Sequence, residues 1–585
     1  MSFLGALKLS DSWDSRMLLL AFPVIPALTY LITSLQARHD LVRSKSNVKD
    51  VAKNPPTVPF SIPGLAHTIP FAFRTVPYLN SLLTSFGNIP LLLRVAGMPM
   101  YFIPQGETIR DLFRNSRVLS KYSVGIMLKR QFGMKEEDIA VWAADKSGIS
   151  PHPAPGYESI APEKRLWYII HRDLHNQLSG SAINVMTAKF TEILTESMEN
   201  NTNIKHDYWM VMPDLYKFLR EEIFKAAVQS LCGTGLLELC PTFVDDFWAY
   251  DDAFPTIFRK VPRFFAPRAY AAREKMLQNL KRWHEWAAAK FDWTSRDALE
   301  ADWEPIYGSK ISRARALMLR NSGMSIDGWA ALDVGFVWTV NANSIPAAIW
   351  AVLDIIRTEG LRERVMAETE PCFTADSFDF DVLRLCSQPL LNSIYMEELR
   401  LRAAATVTRQ IVTDDFRLGR WKFHKGANIF AIPWFGGRDE TFWNTGRIDD
   451  PRAVSRFWAE RFLEYPDDPA SGPIRKHDQP EIYQSPGPEK ATKSMTAEDD
   501  RDAKLVSTGL ESHYFPFGGG PKICPGRFFA KQEIMATVAV LLRAYEMELI
   551  DPVAAENVGE DMARFPLGTL PPKGSIPFRI RRRRL

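Results

Sequence analysis

The run Phe517-Gly-Gly-Gly-Pro-Lys-Ile-Cys524-Pro-Gly526-Arg-Phe-Phe-Ala constrains this chain more than any other stretch. It places one cysteine in a Gly-rich turn at the start of a helix, with an aromatic seven residues before it, a glycine four before and a glycine two after. Glycine has no Cβ, so backbone N–H groups in such a turn can approach the sulfur and stabilise its anion. A lone cysteine is ordinarily a small buried hydrophobe. The fixed spacing F-x-x-G-x-x-x-C-x-G separates Cys524 from that case and predicts a thiolate held open to a metal.

At 585 residues the chain has room for about four average domains, although large single-domain enzymes reach this length. With 46% hydrophobic and 24% charged residues it can bury a large core, which excludes global disorder. A formal net charge of +3 and the lack of zinc-finger spacing argue against nucleic acid as a partner. The basic end, Arg579 to Arg584, is expected to be a solvated tail. Five scattered cysteines fit a reducing compartment rather than a disulfide framework, and Cys232 and Cys240 read as core packing.

Residues 17–35 carry no charge, and as a helix they span about 29 Å, the thickness of a bilayer core. Pro23 and Pro26 are tolerated in such spans, and Arg38, Arg43, Lys45 and Lys49 on the C-terminal flank place the remainder in the cytosol. The expected organisation is an N-terminal anchor over 1–36, a basic flank and stiff Pro-rich hinge over 37–64, and one large domain over 65–585. Within that domain, 464–512 is poor in apolar residues and is expected to be a largely disordered surface insertion. Pro90 to Pro104 reads as a strand hairpin. Helical periodicity dominates from Glu163 to Arg320, including Lys164–Met186, Phe190–Glu199, Leu215–Leu231 and Pro267–Thr294, so the fold class is mostly α with a small β portion. Ser325 to Arg357 is a long apolar helix interrupted by Asn341, Asn343 and Ser344, and Pro346 removes the hydrogen bond to the Ala342 carbonyl and predicts a kink.

Glu397 and Arg400, three apart, share a helical face, and Arg461 follows in Ala459-Glu-Arg-Phe462. E-x-x-R, then x-E-R-F, then F-x-x-G-x-x-x-C-x-G in that order resembles the cytochrome P450 family, in its microsomal form, from the anchor to the final strand at Ile576–Ile580. The resemblance implies a single large haem domain binding haem b, with Cys524 as axial ligand and Phe517 beside it. It makes Glu397, Arg400 and Arg461 a buried network, intolerant of substitution because losing one member strands the others. Arg409 and Lys522 would pair with haem propionates. Trp167 and Arg172 match a further propionate contact, although His171 stands where the family has Arg.

By the same resemblance Ser325 to Arg357 crosses the haem, and Asn343 and Ser344 stand where most of the family has an acid and a threonine that relay protons. Ser344 keeps a hydroxyl that can donate to dioxygen, but Asn343 cannot titrate. Ala342-Asn-Ser-Ile-Pro-Ala-Ala348 with Trp350 is similar to the branch of sterol 7α- and 12α-hydroxylases and prostacyclin synthase. That branch implies a monooxygenase of a hydrophobic small molecule, sterol-like or terpenoid, fed with electrons by an NADPH-dependent cytochrome P450 reductase docking at Lys522, Arg527 and Lys531. It leaves open an isomerase or dehydratase needing no external electrons, and a non-catalytic haem-binding membrane protein is a third reading. The chain looks like a filamentous-fungal enzyme of specialised metabolism, single-pass in the endoplasmic reticulum membrane.

Overall fold

In the computed structural model, which describes residues 13–45, 52–115, 119–447, 450–476 and 496–584, the Pro90–Pro104 pattern forms the expected hairpin. Leu91–Val95 pairs antiparallel with Met98–Phe102, with Leu91 opposite Phe102 and Val95 opposite Met98. The two-residue connection Ala96-Gly97 has φ of 49° and 76°, the left-handed pair that matches the twist of a hairpin. The chain divides into two compact units where the sequence suggested one domain after the hinge. One unit comprises Met1–Lys121 and Thr406–Ile432, the other Tyr122–Ala405 and Pro433–Leu585.

The first unit is built on a five-stranded sheet. Met98–Phe102 pairs parallel with Asn428–Ala431, which pairs antiparallel with Val407–Ile411, which in turn holds Leu119–Ser120. Val407, Arg409 and Ile411 alternate into the buried face. The Pro-rich stretch is no free spacer: Val58 N–H donates to the Leu92 carbonyl and Leu92 N–H to the Pro56 carbonyl, both at 2.9 Å. Prolines have no N–H to give, so the stretch can only dock where neighbouring residues supply the donors. The N-terminal helix runs Trp13–Lys45 and contains the predicted apolar segment. Val24, Ile25, Leu28, Leu31, Ile32 and Leu35 on it are exposed.

The second unit is helical around one large apolar core. The expected long helix from Lys164 is two, Leu166–Gln177 and Ser181–Asn200, because Gly180 takes φ 61° between them. The central helix, Ile326–Arg357, starts where the Ser325 hydroxyl accepts the Gly328 N–H at 3.1 Å. By length and composition this helix too could cross a membrane, yet 72% of its most apolar stretch is buried, as in a core helix. It packs against Pro389–Arg402 and Arg527–Ala544. It stays helical across Pro346, and the polar side chains at its centre donate within it, while Asn341 Oδ1 is buried with no hydrogen-bond partner among the described residues. Thr339, Asn341, Asn343 and Ser344 donate to the carbonyls of Gly335, Val337, Thr339 and Val340, four residues back, at 2.7–3.1 Å.

The predicted final strand is observed at Phe578–Arg582, between Tyr545–Leu549 and Met210–Met212. The terminal arginines are therefore not a solvated tail. Arg579 and Arg581 pair with Glu548 and Glu546 across the strand and both stack on Trp209. The expected disordered insertion is also structured at both described ends. Leu463–Glu464 pairs with Lys504–Leu505, and Arg364 grips Asp500 with two 2.8 Å hydrogen bonds. Residues 477–495 of that insertion lie outside the described residues.

Candidate active site

Cys524 is half-buried in the turn that leads from the Gly520–Lys522 helical turn into Arg527–Ala544. Gly518 and Gly520 take φ of 70° and 66°, which a side chain resists, and fold the loop back so that Cys524 N–H donates to the Phe517 carbonyl at 3.0 Å. The helix that follows starts three residues after the sulfur and turns its positive end toward this loop, which favours the thiolate. A Cβ built at Gly526 would lie 3.8 Å from Cys524 Sγ, so larger side chains there would lie against the sulfur. Arg527 closes the turn by donating to the Cys524 carbonyl at 3.1 Å.

The predicted network of Glu397, Arg400 and Arg461 is closed and dry. Glu397 and Arg461 are 0% exposed and Arg400 2%. Arg400 grips the Glu397 carboxylate with Nε at 2.6 Å and Nη2 at 2.8 Å, and Arg461 Nε reaches its two oxygens at 3.0 and 3.2 Å. Burial pushes the Glu397 pKa up, but the two guanidinium groups outweigh it and hold the carboxyl below its usual range. The remaining guanidinium hydrogens go to the carbonyls of Gly437, Val454 and Asn444. Gly437 is required there, since any Cβ would stand 2.2 Å from the Arg400 carbonyl oxygen. Neither Gly437 nor Asn444 could be foreseen, because backbone acceptors have no sequence signature.

A second buried charge cluster, absent from the sequence reading, joins the central helix to Pro389–Arg402. Asp354 pairs with Arg402 and Arg357, and Glu398 lies 0% exposed beside them. Burial, and then the charge of Asp354, push the Glu398 pKa well above the usual carboxylate range.

Ser344 is buried and donates to Val340 at 3.0 Å. Across from it on Arg527–Ala544 stands Glu533, 2% exposed, both of whose oxygens lack a hydrogen-bond partner among the described residues. Burial pushes its pKa up to about 7, with the Ser344 hydroxyl close enough to draw it partly back. Asn343 is half-buried, and its amide is fully engaged with backbone, donating to Thr339 at 3.1 Å and accepting the Thr569 N–H at 3.0 Å.

Two other predicted contacts are directed elsewhere. Trp167 donates its indole N–H to the Trp142 carbonyl at 3.2 Å and packs edge-on against that ring. Arg172 is exposed and pairs with its neighbour Asp173 at 2.7 Å. Five residues apart on one helix, Trp167 and Arg172 do not share a face, whereas Trp167 and His171 do. Within the first unit, Arg409 is 3% exposed, its Nε lacks a hydrogen-bond partner among the described residues, and burial pulls its pKa down to about 10. Such a cation suits an anionic ligand group. A half-buried sulfur in a glycine cradle at a helix start fits haem.

A Gly-rich cysteine turn opening a helix that packs on a long helix with a polar centre, together with a buried Glu-Arg-Arg network, defines a haem-thiolate protein. Residues 499–578 match the family model described as Cytochrome P450. The chain is 32% identical over 98% of its length to cytochrome P450 monooxygenase efuG of Hormonema carpetanum, covering 98% of that protein. It is 31% identical over 98% of its length to cytochrome P450 monooxygenase fsoE of Humicola fuscoatra, covering 95% of it. Cytochrome P450 7A1 of Oryctolagus cuniculus is 26% identical over 73% of this chain and 77% of its own. Among solved structures, a retinoic acid-bound cyanobacterial CYP120A1 superposes with a TM-score of 0.59 at 16% identity, covering 91% of this chain and all of that one. The chain belongs to the cytochrome P450 family of haem-thiolate monooxygenases. As a member it is a haem enzyme whose iron is held by a cysteine thiolate.

Proposed function

We propose that this enzyme oxidises a hydrophobic small molecule of specialised metabolism, terpenoid or sterol-like, with dioxygen and with electrons from NADPH delivered by a separate reductase. The observation that carries this reading is the direct packing of Ile326–Arg357 on Arg527–Ala544, which sets Ser344 beside Glu533 on the helix that begins at the Cys524 turn. The two fungal relatives covering nearly the whole chain are named as monooxygenases, which supports the same reaction class.

Haem, when bound, supplies the iron that activates dioxygen. Cys524 would hold it, with Phe517 beside the sulfur turn and Lys522 offering a cation to a carboxylate. Ser344 presents the hydroxyl able to donate toward dioxygen, and Asn343 beside it takes no part in proton transfer because an amide does not titrate. The exposed apolar side chains of Trp13–Lys45 support a single-pass anchor in the endoplasmic reticulum membrane, with the rest of the enzyme cytosolic.

Reconstitution with reductase, NADPH and a panel of sterols, terpenes and polyketides tests the reading. Expected are NADPH-dependent products in the wild type and, in Cys524→Ser, loss of the thiolate-type Soret band of the reduced carbon monoxide complex. Turnover of a peroxide or oxime without NADPH would replace it with the isomerase or dehydratase reading.

A further inference from the structure

We infer that Asn343 is a positioning residue that clasps the Gly568–Thr569 turn to the polar centre of the central helix, fixing one wall of the substrate space and with it the position of oxidation. Both ends of its amide are used: Oδ1 accepts the Thr569 N–H at 3.0 Å while Nδ2 donates to the Thr339 carbonyl at 3.1 Å. Only an amide does both at this length. An aspartate would still accept from Thr569 but would set a carboxylate oxygen against the Thr339 carbonyl, and a serine or threonine is too short. The chemistry of the position therefore explains an asparagine where the family pattern has an acid.

The turn lies directly on the helix. Gly568 takes φ 58°, and a Cβ there would stand 2.8 Å from Asn343 Oδ1 and 3.7 Å from the Ala342 carbonyl oxygen, the carbonyl that Pro346 leaves without its helical N–H. Backbone and indole bonds stitch the flanks of the same turn. The Gly568 carbonyl accepts from Ala404 at 2.8 Å, the Leu570 carbonyl from the Trp350 indole at 2.8 Å, and Leu570 N–H donates to Arg402 at 3.0 Å. Asn343 supplies the bond to Thr569, nearest Ser344 in sequence and on the same helical stretch. A hydrophobic substrate, which offers few polar handles, is oriented by the shape of its walls, so a wall fixed beside the reacting position selects which carbon is presented. The clause about the substrate rests on the proposed monooxygenase reading; the clasp itself does not.

Hydrogen–deuterium exchange on the full chain, read by mass spectrometry on the peptide containing Leu567 to Leu570, tests the clasp. Asn343→Ala should speed exchange at Thr569 by about tenfold, the equivalent of one lost hydrogen bond, with peptides spanning Glu397–Arg400 unchanged. Asn343→Asp, which keeps the acceptor but faces the Thr339 carbonyl with a second oxygen, should slow exchange only part of the way back, and Gly568→Ala, which leaves Asn343 in place, should open the same turn. In the reconstituted enzyme Asn343→Ala should spread oxidation over additional positions while retaining the thiolate carbon monoxide band. Wild-type exchange at Thr569 in Asn343→Ala overturns the clasp, and fast exchange with an unchanged product ratio overturns the wall. Absence of NADPH-dependent product from the wild type sinks the monooxygenase reading instead, and the exchange arm still decides the clasp.

Discussion

Glu533 shows how a single buried side chain ties stability to pH. Its carboxyl is forced toward the neutral form, with a folded pKa of about 7 against an ordinary value of 4.5. A raised acid pKa contributes stability that is complete below the unfolded value and is lost as pH rises through the folded one, so the loss falls between about pH 4.5 and 7. Glu533→Gln should therefore gain thermal stability over the wild type at pH 8 relative to pH 5, by at most about 3 kcal/mol. Melting curves at the two pH values read this directly, and a constant difference between the variants would rule it out. The Glu397 network has the opposite sign, because there the folded carboxyl is held low by Arg400 and Arg461. Its contribution is present at neutral pH and lost on acidification. Glu397→Ala leaves two buried guanidinium groups facing each other and should cost about 3–5 kcal/mol, seen as a lower unfolding midpoint in urea. Arg461→Lys, which keeps the charge but loses the fork, should be milder.

At the scale of elements, legibility followed chemistry. The helix over Ile326–Arg357 was readable because apolar residues continue on both sides of its polar centre, and the hairpin because Ala96-Gly97 divides two apolar, partly β-branched runs. Gly180 was missed as a helix break because helical periodicity continues on both sides of it. The terminal arginines looked like a tail because their partners, Glu546, Glu548 and Trp209, are contributed by distant segments. In the site, Cys524, Glu397, Arg400 and Arg461 carry spacing, and the geometry of the last three joins them as expected. Glu533, Asp354, Glu398 and Gly437 act through burial alone and left no pattern. The N-cap of the central helix can be measured separately. Ser325 accepts Gly328 N–H and also meets Asp138 through its own N–H and hydroxyl, both at 2.7 Å. Ser325→Ala should lower stability by about 1–2 kcal/mol, and Ser325→Asp should not rescue it, because a second carboxylate would face Asp138.

For the whole molecule, the apolar stretch exposed on Trp13–Lys45 predicts partition. A chain beginning at residue 37 should shift from the membrane pellet toward the supernatant on fractionation, while the full chain stays in the pellet until detergent is added; equal partition of both would remove the anchor from the account. The three-stranded sheet of the second unit carries a different consequence, one of timing. Phe578–Arg582 lies between Tyr545–Leu549 and Met210–Met212, and Arg582 donates to the Met198 carbonyl across 384 residues of chain. On the ribosome Met210–Met212 must wait for that strand through the synthesis of every segment between them, the Cys524 turn included. The thiolate loop is thus made before the unit that contains it can close, and a ribosome that stalls in the last turns of Arg527–Ala544 releases a chain with the cofactor's sulfur in place and its sheet still missing.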